Sequence, residues 1–254
     1  MICTTLARTV ALASCKPTRT SFRLKSSKNA FNKHANLDAM IADLPKTCNQ
    51  VKYCEMLKDD RIPLVLATGP AGSGKTLQSI SSAIHKLIKG DTKKVVITRP
   101  TVAVGEELGF LPGNLQEKMH PFLIPVFDSF KEYITAQRLN EYIKNDEIEI
   151  AAIAHIRGRT FHDCWVVVDE AQNLSQMQFR TLLTRMGQNS KMVVSGDLDQ
   201  SDIREKNGHQ DFIERYRLSI QENGPNPHID LVEFGNDDIM RSEIVKHVLD
   251  IYKY

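Results

Sequence analysis

Gly69, Pro70, Ala71, Gly72, Ser73, Gly74, Lys75 and Thr76 follow one another without interruption. Glycines spaced this way let a backbone curl tightly, so that successive N–H groups converge on an anion. Lys75 adds a point charge suited to β- and γ-phosphates, and the Thr76 hydroxyl suits Mg²⁺. A helix expected from Gly74 to Lys89 would present its N-terminus to the same phosphates. A structural glycine-rich turn would lack this context of an apolar strand before and an amphipathic helix after.

About a hundred residues later comes Asp169-Glu170-Ala171-Gln172, at the end of an apolar run. An aspartate at the carboxyl end of such a strand suits a direct or indirect Mg²⁺ ligand. Glu170 suits a base that orients or deprotonates an attacking water. Acidic residues also begin solvated loops, so this pair gains meaning only beside the phosphate loop. Ser195-Gly196-Asp197-Leu198-Asp199-Gln200 closes a further apolar run. Gln200 is neutral and could bond a γ-phosphate or the attacking water, distinguishing ATP from ADP. A polar turn at a strand end is the plainer reading of the same residues.

These groups need a frame, and the hydrophobic pattern predicts one. Strands are expected at Pro63–Thr68, Lys94–Thr98, Trp165–Asp169, Lys191–Ser195 and His228–Phe234. Helices are expected at Gly74–Lys89, Ser175–Met186, Gln210–Ile220 and Arg241–Tyr254. Short β-branched strands alternating with helices imply an α/β fold, a mostly parallel sheet with helices on both faces. Thr101 to Asn145 breaks the rhythm with Gly105, Gly109, Pro112, Gly113, Pro121 and Pro125. It is expected to be an insertion with helical pieces on the strand-end face, where such sheets place ligands.

The chain has 254 residues, enough for one sizeable α/β core. Residues 1–37 hold seven of the 33 basic residues and none of the 31 acidic ones, so the formal +2 charge belongs to this leader. Whole-chain charge is therefore no argument for nucleic-acid binding. The leader is rich in Ser and Thr, and its apolar stretch Val10–Ala13 is too short for secretion. This profile fits an organellar transit peptide, mitochondrial or alternatively plastid. A disordered basic tail on a cytoplasmic protein and a folded extension are the other readings. Residues 38–254 would form the folded domain. No apolar run approaches the roughly 20 residues that span a bilayer. Cysteines at 3, 15, 48, 54 and 164, with no C-x-x-C, point to neither a disulfide framework nor a zinc site. Cys164 reads as a small core residue.

From Asn49 to Tyr254 the chain resembles the PhoH family, related to superfamily 1 helicases. The resemblance is carried by G-P-A-G-S-G-K-T and Arg99-Pro100, then Val104-Gly105-Glu106-Glu107-Leu108-Gly109-Phe110-Leu111-Pro112-Gly113. Glu117-Lys118, Arg157-Gly158-Arg159-Thr160, D-E-A-Q-N and G-D-x-x-Q follow in order. The stretch from Val104 to Gly113 is the specific part, since helicases share the rest. The resemblance implies a RecA-like P-loop NTPase, ATP hydrolysis with Mg²⁺, a ring-like, hexameric homo-oligomer and a link to single-stranded RNA. It also implies that Gln50, beside Asn49, reads adenine; a solvent-facing helix position is the alternative. Two departures stand out: Ile203-Arg204 where bacterial members carry Leu-Pro, and Arg241-Ser242-Glu243 where they carry Arg-His-Pro.

An ATPase acting on RNA is the leading reading. An ATP-gated assembly module that unwinds nothing is the second. A nucleotide or nucleoside kinase is the third, but the insertion offers only Lys118, Lys131, Arg138 and Lys144 for a basic lid. The elements amount to one RecA-like domain, so an arginine stabilising the γ-phosphate would come from a neighbouring subunit. Arg157, Arg159 and Arg241 are the candidates; gripping RNA phosphates or pairing with surface carboxylates is an equal alternative for each.

Overall fold

The computed structural model describes residues 45–100, 115–203 and 205–240, with helical positions at 244, 247 and 251; of 115–122 it describes the backbone. The leader 1–37, the 104–113 stretch, Arg204 and Arg241 lie outside the described residues.

Six strands form one sheet: β1 (Leu64–Thr68), β2 (Lys94–Thr98), β3 (Ile148–Ile150), β4 (Cys164–Val168), β5 (Lys191–Gly196) and β6 (Ile229–Glu233). Their order is β3-β2-β4-β5-β1-β6, and every pairing is parallel. This is the expected RecA-like arrangement: the phosphate loop leaves β1, the acidic pair leaves β4, and β5 lies between them. All strands therefore end on the same rim, where the candidate chemistry gathers.

Alternate residues of each strand feed two cores. Val65, Ala67, Val95, Ile97, Trp165, Val167 and Val193 face one side. There they meet α1 (Cys48–Lys58), α2 (Lys75–Lys89), α3 (Leu115–Lys131) and α4 (Ala136–Lys144). Leu64, Leu66, Val96, Val166, Val168, Met192 and Val194 face the other side, against α5 (Gln176–Leu183) and α6 (Gly208–Asn223). Each fully buried Val, Leu or Phe stabilises this sandwich by roughly 1.5–3 kcal/mol. Cys164 is buried in the second core.

Three differences from the sequence reading matter. The described part of the expected insertion, 115–144, reaches the strand-end cleft at Ser129 but is also built into the core. Its α3 runs through Pro121 and Pro125, and Leu123, Val126, Phe130 and Leu139 are buried in the first core. The short edge strand β3 and the first helix α1 were not expected. In α1 the buried positions Gln50, Tyr53, Cys54 and Leu57 follow helical spacing, but that face begins on a glutamine.

Candidate active site

The rim carries a cleft of about 390 Å³ lined by Ala71, Gly72, Gly74, Lys75, Thr76, Asp169, Glu170, Asp197 and Gln200, among others. The sequence-predicted phosphate loop, acidic pair and Gln200 therefore meet in one place.

The phosphate loop owes its shape to two glycines in particular. Gly69 has φ +137°, and a Cβ there would lie 2.4 Å from the Phe234 carbonyl oxygen. Gly74 is the N-cap of α2 in the left-handed region, φ 87°, and no side chain bonds the helix end. The first N–H groups of α2 are thus left facing the cleft. The Lys75 ammonium folds back over the loop, donating to Gly69 O at 2.7 Å, Pro70 O at 2.8 Å and Ser73 Oγ at 3.1 Å. Ser73 Oγ donates to Pro70 O at 2.9 Å, which keeps the curl closed.

Thr76 and Asp169 meet directly: Thr76 Oγ1 donates to Asp169 Oδ1 at 2.7 Å. Ser195 Oγ donates to the same oxygen at 3.1 Å. Burial pushes the Asp169 carboxyl above the usual range, although the Thr76 hydroxyl and the Arg99 guanidinium oppose this. A buried acid that the fold alone leaves unfavourably charged, beside a hydroxyl on the phosphate loop, is a hard-oxygen pair that fits Mg²⁺. That ion would neutralise developing phosphate charge when bound.

Glu170 is held in an unusual way. Its backbone sits in the left-handed region, φ 55° and ψ 39°, which costs a non-glycine residue about 1 kcal/mol or more. Arg99 Nη2 donates to its Oε1 at 3.1 Å, and Gln172 Nε2 donates to its Oε2 at 2.6 Å. The other Arg99 nitrogen approaches Asp169 Oδ2 at 3.7 Å. The register explains this: Thr98 lies opposite Val168, so Arg99 follows beside Asp169 and Glu170. In the sequence Arg99 stands out only as part of the Arg99-Pro100 motif. Its signal was the position one residue past a strand that pairs with β4, which the sequence does not show.

Gln200 lies exposed in the turn Leu198–Gln200 at the cleft, its N–H bonded to Asp197 O at 3.1 Å. Asp197, not singled out from sequence, accepts the Ala71 N–H at 3.0 Å and so joins β5's end to the phosphate loop.

Gln50 is 2% exposed, not solvent-facing. Its Nε2 donates to Ser73 O at 3.0 Å and Asp238 O at 3.2 Å, and its Oε1 accepts the Lys46 N–H at 2.7 Å. In this state its amide braces the back of the phosphate loop, and contact with adenine requires exchange of these bonds. Asn49 Nδ2 donates to Asp238 Oδ2 at 2.8 Å, tying the start of α1 to the 235–240 turn. The Met240 N–H in turn donates to Gly72 O at 2.9 Å.

The two loop arginines part company. Arg159 is locked in a bidentate pair with Glu149, at 2.5 and 2.8 Å, with its guanidinium over the Phe161 ring. Arg159 and Lys94 together hold the Glu149 carboxyl down at about 2. Arg157 is exposed, touching Met177 Sδ at 3.4 Å, and lines a separate groove of about 400 Å³ with Ile153, Ser175 and Met177. Neither lines the cleft.

Residues 44–253 match the family model described as PhoH-like protein. The chain is 37% identical over 207 residues to a PhoH-like protein of Bacillus subtilis, covering 82% of this chain and 63% of that one. It is 34% identical over 207 residues to Protein PhoH of Escherichia coli K12, covering 80% and 56%. The match thus spans about three fifths of the length of these relatives. Similarity to solved structures includes the large terminase of a thermophilic bacteriophage, at 9% identity and TM-score 0.45 over 81% of this chain and 50% of that one. The Hef helicase domain of Pyrococcus furiosus aligns at 16% identity and TM-score 0.43 over 77% and 39%. On the extent of the family match and the identity to these relatives, the chain belongs to the PhoH-like protein family.

Proposed function

We propose that this protein hydrolyses ATP with Mg²⁺ and couples hydrolysis to single-stranded RNA as a homo-oligomer, a hexameric ring on family grounds. The observation that carries the ATPase reading is the contact of Thr76 with Asp169 on the phosphate loop, with Glu170 fixed one residue on. Lys75 would exchange the loop carbonyls for β- and γ-phosphate oxygens, and Thr76 and Asp169 would hold the metal. Glu170 accepts the proton of the attacking water at one of its carboxylate oxygens, while Gln200 reports on the γ-phosphate from the cleft mouth.

The RNA side rests on the family resemblance. The separate groove at Arg157 adds support, since it offers an exposed cation and the apolar Met177, 66% exposed. Cations for phosphates and apolar surface for bases are what a single strand requires. Phosphate release measured with and without single-stranded RNA tests it. Stimulation is expected; a flat rate would favour an assembly module, and phosphate transfer to an added nucleoside or nucleotide would favour a kinase.

For residues 1–37 the proposal is an organellar targeting segment, on their acid-free composition. Intact-mass measurement of protein from its native cell should find them removed, and retention of the whole segment would contradict it.

A further inference from the structure

A chain of hydrogen bonds runs behind the cleft from the phosphate loop to Glu170. The Ala71 N–H donates to Asp197 Oδ2 at 3.0 Å, and the Asp197 N–H donates to Gln172 Oε1 at 3.1 Å. Gln172 Nε2 then donates to Glu170 Oε2 at 2.6 Å. Gln172 is buried, so its carboxamide has few other partners to choose from.

His209 stands next to this chain on the first turn of α6. It is 0% exposed, and its ring lies nearly parallel to Phe179, 5.6 Å between centroids and 18° between planes. Among the described residues neither ring nitrogen has a hydrogen-bond partner. An unpaired buried polar group costs roughly 1–3 kcal/mol, and an apolar side chain stacked on Phe179 would avoid that cost. Such a group calls for an explanation.

Gly196 supplies one. A Cβ built there would lie 2.7 Å from Gln172 Oε1 and 2.9 Å from His209 Nδ1. The carboxamide oxygen and the imidazole nitrogen thus both border the space that a side chain at 196 would fill. Burial, with a smaller contribution from the Lys75 charge, pushes the imidazole down to about 4. At neutral pH the ring therefore carries one N–H donor and one acceptor.

We infer that His209 is the second partner of Gln172: when nucleotide fills the phosphate loop, the imidazole takes over Gln172 Oε1 from Asp197 and keeps the carboxamide aimed at Glu170. Phosphate next to the loop repels the Asp197 carboxylate from Ala71 and moves the Asp197 N–H off Gln172. A neutral imidazole across Gly196 replaces that donor, so one bond is exchanged for another and Glu170 keeps its support. His209 is then a positioning residue, acting through Gln172. The inference rests on the ATPase reading above.

The test uses the full chain and the variants His209→Leu and His209→Asn, the latter retaining a side-chain N–H. His209→Leu should melt at or above the wild-type temperature and bind a non-hydrolysable ATP analogue unchanged. Its single-turnover hydrolysis should fall about 10- to 100-fold, as for a displaced reacting group, and His209→Asn should recover most of it. Wild-type hydrolysis by His209→Leu, loss of melting temperature and affinity along with rate, or no rescue by Asn would each overturn the inference. A second measurement does not depend on hydrolysis: ¹⁵N spectra of the imidazole should shift with the analogue and not with ADP. An equal response to both, or none, would overturn it. Failure of the ATPase reading looks different, because wild type would then release no more phosphate than Lys75→Ala.

Discussion

Glu170→Gln separates the chemistry of the cleft from its architecture. The substitution keeps size and removes the base, which contributes about 10²–10⁴ in rate, or about 3–5 kcal/mol of barrier at 1.36 kcal/mol per tenfold. The structural cost is smaller. The carboxylate accepts from Arg99 on one oxygen and from Gln172 on the other, and an amide can accept on one side only. Gln172 cannot simply turn over, because its own oxygen accepts from Asp197 N. One donor is therefore left without its acceptor, roughly 1–3 kcal/mol. In a domain of this size each kcal/mol shifts melting by roughly 2–4 °C. The variant should fold, melt a few degrees lower and bind ATP as wild type does, while single-turnover phosphate release falls at least a hundredfold. A fall of less than tenfold would show that Glu170 is not the base. A matching loss of ATP affinity would show that it only holds the cleft together.

Asp169→Asn should melt higher than wild type without nucleotide and lose Mg²⁺-dependent hydrolysis. The carboxyl's pKa is raised in the fold, so the folded protein binds its proton more tightly and wild-type stability falls as pH rises through that pKa. Melting curves against pH should show this loss in wild type and its absence in Asn; a variant that melts lower throughout would contradict it. Gly69→Ala should lower stability by about 2 kcal/mol or more, because its Cβ would meet the Phe234 backbone at a φ that L residues avoid; an unchanged melting temperature would refute the close approach. For the proposed arginine acting between subunits, Arg157 is tested first, since Arg159 is locked to Glu149 and Arg241 lies outside the described residues. An inactive variant of the true arginine should regain activity when mixed with Lys75→Ala subunits; full activity of each variant alone would exclude the mechanism.

The parts of the site read from sequence are those that one strand and one turn place together. The loop Gly69–Thr76 follows β1, and Asp169-Glu170 follows β4, so an apolar run ending in special residues was enough. Register between strands was not legible, and it is register that brings Arg99 to Asp169 and Glu170. Long-range packing was not legible either: Asp197 on Ala71, and Gln50 under Ser73, join residues over 20 to over 100 positions apart. Helix α1 hid because its buried face starts on a polar residue that is satisfied by the phosphate loop rather than by solvent. Pro121 and Pro125 read as breaks, yet α3 continues past both, with Val126 and Phe130 buried beyond them. Burial of those side chains outweighs the local signal.

ATP hydrolysis in this cleft is read out by steady-state phosphate release from the full chain with Mg²⁺-ATP, beside Lys75→Ala. Wild type should turn over while Lys75→Ala binds ATP weakly and releases no phosphate above buffer, because the ammonium that balances the phosphate charge is gone. Equal release from the two proteins, or none from wild type at any protein concentration with or without RNA, would show that the cleft is not an ATPase site.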